Sequence, residues 1–366
     1  MQWRDLKARL LAAGSARVTG EPAEQYIARS TAGPGAGGSG AVFFSIENHR
    51  VKLAISPLSP VEITHLGNGA AELFFEGQRI SGNLLEPGFH CPDQAFITVT
   101  GSCVFSCRYC SVPHTGGKRK TLKEIFRMVK SVRNRIHAIS VTSGVLSDIE
   151  EEESYVLEVI QCLSSFNLPI GVSIYPAPMT PDRLKEYGVA EVKFNLEAAT
   201  PEIFSAMCPG LDYGTLWNVL ERSVQLFGKN RVFSNIIVGL GETDEELETC
   251  IRKLTTRGVI PVLRPLSPVA GLAGTSRPSA ERLKKIFEIH KQALSEGGLD
   301  PSKAMTMCTN CQDAIWSPGG MNERSRSCCR GHPVIYRPAV YNSRLPHYHA
   351  WSTSARRAGN QRKNGT

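Results

Sequence analysis

The sequence predicts an α/β protein: a parallel sheet with helices outside, a small β subdomain before it and a Cys-rich extension after it. Three observations predict this. From Gln94 onward, short apolar runs alternate with amphipathic helical stretches. Before Pro92, paired β-type runs flank turn-like triplets. Beyond residue 300, Cys308, Cys311, Cys328 and Cys329 fall in a stretch with no clear period. A chain of 366 residues that is 41% hydrophobic has room for one large domain plus an appendage, or for two domains.

The bulk properties narrow the function. No apolar run approaches the ~20 residues a membrane span needs, so no membrane partner is expected. The start, Met1-Gln2-Trp3-Arg4-Asp5-Leu6-Lys7, reads as a charged amphipathic helix without the apolar core of a secretory signal. A cytoplasmic location is therefore expected. With no export signal, the 11 cysteines point to metal binding or catalysis rather than disulfides. The net charge is +8, and Arg356, Arg357, Arg362 and Lys363 concentrate basic charge in an acid-free end. Residues 352–366 are expected to be a disordered basic tail. No aromatic platform accompanies these charges, so a nucleic-acid partner is not expected.

In chain order, residues 1–30 read as helix and connector, and the Gly-rich stretch 31–40 as a loop. It is not a P-loop, because no Gly-Lys-Ser/Thr follows. Runs at 41–46 and 51–55 flank Glu47-Asn48-His49, and runs at 71–75 and 79–84 flank Glu76-Gly77-Gln78. These hairpin signals place a helix and a small antiparallel β subdomain in residues 1–92. Over 93–300 the strand-like runs are 96–100, 138–142, 170–175, 191–196, 232–238 and 260–263. Helices are expected near 121–135, 151–166, 181–187, 201–207, 214–228, 244–257 and 279–296. Thr180-Pro181 and Thr200-Pro201 each look like an N-cap followed by proline at the first helical position. Thr243 with Glu246 fits a capping box. Six such units make a partial barrel or a doubly wound sheet, and periodicity does not choose between them. In barrels of this kind the chemistry sits at the C-terminal strand ends.

Directly after the first strand of the repeating region comes Cys103-x3-Cys107-x2-Cys110. Three thiolates in one tight loop suit an iron–sulfur cluster or zinc, and His114 stands near enough in sequence to complete a zinc site. Three ligands on a four-iron cluster leave one iron open. This loop, with Tyr109 just before its last cysteine, resembles the cluster motif of the radical S-adenosylmethionine (SAM) superfamily.

The resemblance spans roughly residues 94–300 and is nearest to the branch holding biotin synthase and the hydrogenase-maturation enzymes. It implies a partial or full (β/α) barrel of TIM type. It also implies a [4Fe–4S] cluster whose open iron binds SAM, and cleavage of SAM to a 5′-deoxyadenosyl radical that takes hydrogen from an unactivated carbon. The region around Tyr109 would contact adenine. Thr142-Ser143-Gly144 ends the second strand where the family often has a glycine-rich turn for the SAM amine, although the usual Gly-Gly-Glu is absent. Lys193-Phe194-Asn195-Leu196-Glu197 resembles the Asn-Leu-Asp of biotin synthase, and alternation puts Asn195 and Glu197 on one face. They would hydrogen-bond the SAM ribose and amine. Gly239-Leu240-Gly241-Glu242-Thr243 matches a Gly-Leu-Gly-Glu-Thr of the same relatives, which adds Gly239, Gly241 and Glu242 to the cofactor cradle. Lys118, Arg119 and Lys120 read mainly as a solvated run, with a second role countering cluster or SAM charge. Arg264 follows the sixth strand and could point into the barrel mouth. No residue is assigned as catalytic.

A second metal site is expected in residues 301–351 from Cys308-x2-Cys311 with Cys328 and Cys329. An auxiliary iron–sulfur cluster is the leading reading, with zinc as the alternative. Cys91 could contribute to it. Cys162, Cys208 and Cys250 read as buried apolar cysteines, and His347 and His349 as surface residues. The function expected is sulfur insertion in cofactor biosynthesis by a transferase of the biotin-synthase type. One version is a divergent two-protein lipoyl synthase, since the Cys-x4-Cys-x5-Cys of the single-chain form is absent. A small-molecule or carrier-bound substrate, a ferredoxin or flavodoxin donor and a partner radical SAM protein go with it. The alternatives are a radical rearrangement, cleavage or methylation enzyme, and a non-catalytic iron–sulfur or zinc protein with RNA contact.

Overall fold

The computed structural model describes residues 3–28, 40–47, 49–86, 94–114, 116–268 and 270–307. Cys91, Cys308, Cys311, Cys328, Cys329, His347, His349 and the basic tail lie outside the described residues.

The N-terminal part is a helix and a closed barrel. Helix α1 (Trp3–Ala13) is followed by β1 (Ser15–Gly20), β2 (Ala41–Ile46), β3 (His49–Ile55), β4 (Glu62–Gly67), β5 (Ala70–Phe75) and β6 (Gln78–Leu85). The strands close in the order β1-β3-β2-β6-β5-β4, with β4 returning to β1. Both hairpins appear, but the subdomain is not purely antiparallel: β1 runs parallel to β3 and to β4. Sequence reading missed β1 and β4. β1 lies in the stretch read as helix and connector. The buried side chains of β4 are Ile63 and His65, so its alternation is not apolar. Val42, Phe44, Val51, Leu53, Ile63 and Leu73 are buried in the core. Closure leaves this sheet no open edge.

The second part is a six-stranded sheet in the order β12-β11-β10-β9-β8-β7, every pair parallel. Its strands are β7 (Gln94–Thr98), β8 (Ala138–Thr142), β9 (Ile170–Ser173), β10 (Glu191–Lys193), β11 (Val232–Val238) and β12 (Ile260–Pro265). The connecting helices are α2 (Leu122–Val132), α3 (Ile149–Ser164), α4 (Thr180–Glu186), α5 (Pro201–Met207), α6 (Tyr213–Phe227) and α7 (Asp244–Thr256), and α8 (Ala280–Glu296) follows the last strand. The order never reverses. Under right-handed crossovers, that puts every connecting helix on the same face. The arrangement is a partial barrel, not a doubly wound sheet.

Local chemistry explains the boundaries. Thr200 and Thr243 cap α5 and α7 as their spacing predicts, and Thr243 with Glu246 completes its capping box. Thr121 and Glu124 form a second box at α2. Thr180 is different: it lies inside α4, accepts the Ala177 N–H at 2.8 Å and donates to the buried carboxylate of Glu153. β10 is shorter than its apolar run, because its ladder ends at Lys193 before Glu197 bridges Ile236.

One contact ties the two parts together, and another closes the floor of the sheet. Helix α1 packs on α8, where Arg4 pairs with Glu288 and Asp5 lies 3.5 Å from Lys284. At the N-terminal end of the sheet, residues 305–307 fold under the inner face. Glu191 is fully buried and accepts the backbone N–H groups of Met305, Thr306 and Met307 at 2.7, 2.8 and 3.0 Å. It also takes the Thr306 hydroxyl at 2.8 Å and pairs with Arg231 at 2.8 Å. The Thr306 carbonyl accepts from Gln94 and Ser140. Removing one partner of a buried pair leaves the other unpaired, at a cost of about 3–5 kcal/mol. Glu191→Ala should therefore lose about 3 kcal/mol in a denaturant titration; a loss under about 1 kcal/mol would show that this carboxylate does not hold the floor.

Candidate active site

The site forms at the C-terminal ends of the strands. A cavity of about 160 Å³ is lined by Cys103, Cys107, Tyr109, Thr142, Ser143, Gly144, Asn195 and Glu197, with Phe105, Tyr175, Phe204 and Leu211 among its apolar walls. Residues from the cluster loop, the end of β8 and the end of β10 thus meet in one place, although up to 94 positions separate them in the sequence (197 − 103 = 94).

The cluster loop is anchored by backbone and by the turn after β8. Val104 N–H donates to Val145 O at 2.8 Å, and Gly144 N–H to Thr100 O at 3.0 Å. Any side chain at Gly144 would strike the carbonyl oxygen of Ser102, so the close approach of these loops requires glycine. Val145 N–H points at Cys103 Sγ, 3.5 Å away. Cys103, Cys107 and Cys110 are partly exposed free thiols. Cys107 is held below the usual thiol range, first by a hydrogen bond from Cys208. Burial pushes Cys110 up to about 11. Among the described residues no three His, Cys, Asp or Glu side chains converge on a single ion. A four-iron cube takes each thiolate on a different iron, so its ligands stand apart.

Two residues read as cofactor contacts, Ser143 and Glu242, also serve the scaffold, as does Arg119. Ser143 Oγ accepts the Thr100 N–H at 3.0 Å and donates to Glu152 at 2.6 Å. Its hydroxyl is therefore occupied. Glu242 is buried, and its carboxylate accepts Gly239 N–H at 2.7 Å and Leu240 N–H at 2.8 Å and pairs with Arg282 at 2.9 Å. It folds back on its own loop and is not aimed at the cavity. Arg119 is not a solvated charge: it pairs with Glu151 and Glu152 at 2.9 and 2.7 Å. Beside it, Lys120 Nζ donates to Thr98 O at 2.7 Å. Gly239 and Gly241 have φ of 109° and 116°, a region that favours glycine, but neither lines the cavity. Cys110 also lies off its lining.

Sequence reading missed Glu152. This buried carboxylate joins Thr100 Oγ1, Ser143, Leu146 N–H and Arg119, and so locks the cluster loop to the end of β8. The run Glu150 to Glu153 reads as helix-start acids. Its signal was register: position 152 shares a helix face with Val156, Val159 and Leu163, all of which are buried.

Glu197 is the most unusual group in the cavity. Its φ is 60°, uncommon for a residue with a side chain. It is buried, and its Oε2 has no hydrogen-bond partner among the described residues. Burial raises its pKa from an ordinary 4.5 to about 7, against the pull of Arg264 and Lys193. Register places both cations on the inner face, through the pairs Lys193–Phe233 and Ile237–Arg264. Tyr109 is buried beside it and also raised, by burial first and then by the Glu197 charge.

Residues 97–254 match the family model of the radical SAM superfamily. The chain carries a radical SAM domain. Proteins of this family use a [4Fe–4S] cluster and SAM. A lipoyl synthase of Haemophilus influenzae (strain PittEE) is 23% identical over 217 residues, covering 56% of this chain and 66% of that protein. A GTP 3′,8-cyclase of Sulfurovum sp. (strain NBC37-1) is 20% identical over 227 residues, covering 60% of this chain and 69% of that protein. Solved structures are also similar to part of the chain. One is the FeFe-hydrogenase maturase HydG from Carboxydothermus hydrogenoformans, at 19% identity and TM-score 0.47, covering 55% of this chain and 51% of that one. Among the described residues no helix is long and apolar enough to cross a membrane.

The raised pKa of Glu197 has a direct consequence for the metal-free protein. A carboxyl that is a stronger proton binder when folded adds stability below about pH 4.5 and loses it as pH rises through about 7. Between wild type and Glu197→Gln, the stability difference should therefore shift in favour of the variant by about 3 kcal/mol from pH 4.5 to 8. Parallel urea curves at both pH values check this; a difference that stays flat with pH would contradict it.

Proposed function

We propose that Cys103, Cys107 and Cys110 hold a [4Fe–4S] cluster, that SAM occupies the adjoining cavity, and that the enzyme inserts sulfur into an unactivated carbon of a cofactor precursor. The observation that carries the first two parts is the buried carboxylate of Glu197, with one oxygen unpartnered, facing the same cavity as Cys103 and Cys107. An orphaned buried acceptor costs free energy unless a ligand donor reaches it. The amine or ribose hydroxyls of SAM are such donors. When bound, the cluster and SAM supply a primary carbon radical able to take hydrogen from an unactivated carbon.

The chain's own residues bind and orient. Glu197 takes a donor group of SAM, with Asn195 beside it, held in place because its Oδ1 accepts the Asn235 N–H at 3.3 Å. Phe105 and Tyr175 lie in tilted contact, ring centres 5.8 Å apart, and offer with Phe204 and Leu211 an apolar wall for adenine. Thr142 and Gly144 close the β8 side. Ser143 and Glu242 act indirectly, by fixing the loops.

Sulfur insertion needs a sulfur source, and the auxiliary cluster proposed at Cys308, Cys311, Cys328 and Cys329 would supply it. Its support is the lipoyl synthase likeness and the position of Met307, which is buried and bonded to Glu191 immediately before Cys308. A carrier-bound substrate, a ferredoxin or flavodoxin donor and a partner radical SAM protein belong to the same reading. The likeness to a GTP 3′,8-cyclase favours a second reading, a radical rearrangement in which the second metal site only anchors substrate.

Reconstituted protein with dithionite and SAM should release 5′-deoxyadenosine, and the Cys103/Cys107/Cys110 triple alanine variant should release none. Wild type releasing none would remove the radical reading. The triple variant should retain iron at the second site, and turnover should consume that site's sulfide; intact sulfide after turnover would favour the rearrangement. Glu197→Gln should weaken SAM binding by about tenfold or more in equilibrium dialysis, the scale of a hydrogen bond to a charged group. Unchanged binding would remove Glu197 from the cradle.

A further inference from the structure

On α4, α6, α7 and α8 every arginine is answered by an acid: Arg183 by Glu153, Arg222 by Asp182, Arg252 by Glu248 and Arg282 by Asp244. Helix α2 is the exception. Lys123, Arg127 and Lys130 follow at steps of four and three residues, which lines them up on one helix face over about 10 Å. All three are exposed, and among the described residues none is in an ion pair. Lys118 before the helix and Arg135 after it are exposed and unpaired in the same way. Glu124 is the one acid of α2, and its carboxylate is taken by the N–H and hydroxyl of Thr121 at 2.7 and 2.8 Å. On the neighbouring α3, Glu151 and Glu152 are taken by Arg119. Met128, 42% exposed, adds an apolar spot beside Arg127.

This face adjoins the cluster loop. Lys118 O accepts the Gly101 N–H at 3.2 Å, and Lys120 N–H donates to Val99 O at 2.9 Å. Cys103 comes two residues after Gly101. The segment that enters α2 is thus paired with the chain that leads to the first cysteine.

We propose that the basic face of α2, with Lys118 and Arg135 at its ends, is the docking surface for an acidic one-electron carrier protein of the flavodoxin class that reduces the cluster. This rests on the reading of Cys103, Cys107 and Cys110 as cluster ligands. The carrier loses one electron and the cluster gains it; no group is transferred. A cationic face steers an anionic partner and speeds encounter. Electron-transfer partners make small contacts, which suits a face this short. RNA suits it less. Phe126, the one ring on the helix, is half-buried against Phe166 with ring centres 4.9 Å apart, so the face offers no stacking platform.

The test uses reconstituted full-length protein and a purified flavodoxin. Calorimetry measures the affinity for oxidised flavodoxin at about 50 mM salt, and stopped flow follows reduction of the cluster by the reduced form. The triple variant Lys123→Glu/Arg127→Glu/Lys130→Glu should bind about tenfold more weakly and be reduced correspondingly more slowly. Dithionite, which needs no docking surface, should still give wild-type release of 5′-deoxyadenosine. Higher salt should weaken wild-type binding and shrink the difference. Equal affinity in variant and wild type overturns the proposal, as does wild-type binding that ignores salt. Loss of RNA binding in a variant that keeps its flavodoxin affinity assigns the face to RNA and also overturns it. Should the triple variant fail to fold, Arg127→Gln decides: weaker binding supports the proposal, and unchanged binding overturns it. A cluster that flavodoxin reduces equally fast in variant and wild type defeats this proposal alone. Wild type that holds no cluster at the three cysteines defeats the proposed function as well.

Discussion

Everything at the site depends on the close approach between the cluster loop and the turn after β8. Two things make it possible. Gly144 removes the side chain that would collide with Ser102, and Glu152 gathers Thr100, Ser143, Leu146 and Arg119 around one buried carboxylate. A charge buried this way is tolerable because every neighbour donates to it. The result is a loop whose cysteines are presented at a fixed height above the strand ends. Without that lock, the three cysteines and the cavity wall just beyond β10 would be separate features of the chain.

The rest of the sheet sets the other walls. β10 ends its ladder early, and the positive φ at Glu197 turns the chain so that Asn195 and Glu197 face the cavity together. Below them, Glu191 on the same strand anchors residues 305–307 as a floor. This short strand and the residues just beyond it therefore carry two buried carboxylates with different surroundings. Glu191 is saturated with donors and holds structure. Glu197 keeps an oxygen without a hydrogen-bond partner among the described residues.

Much of this was legible in the sequence. The cysteine spacing marked the loop, and strand alternation put Asn195 and Glu197 on one face. The proline and threonine signals at 200–201 and the box at Thr243 gave helix starts within a residue. What stayed hidden has a common cause. Ser143, Glu242, Glu152 and Thr180 are polar residues whose task depends on partners distant in sequence, and residue type does not reveal whether a hydroxyl or carboxylate is already occupied. β1 and β4 escaped because their pairing closes a barrel, which periodicity within one strand cannot show.

The central claim is that the three-cysteine loop and the Glu197 cavity form one site, with the cluster's open iron facing SAM. The most direct measurement is the EPR spectrum of the reduced, reconstituted protein recorded with and without SAM. The account predicts that SAM changes the g values of the cluster held by Cys103, Cys107 and Cys110, and that Glu197→Gln needs more SAM to produce the same change. Identical spectra at saturating SAM would contradict it.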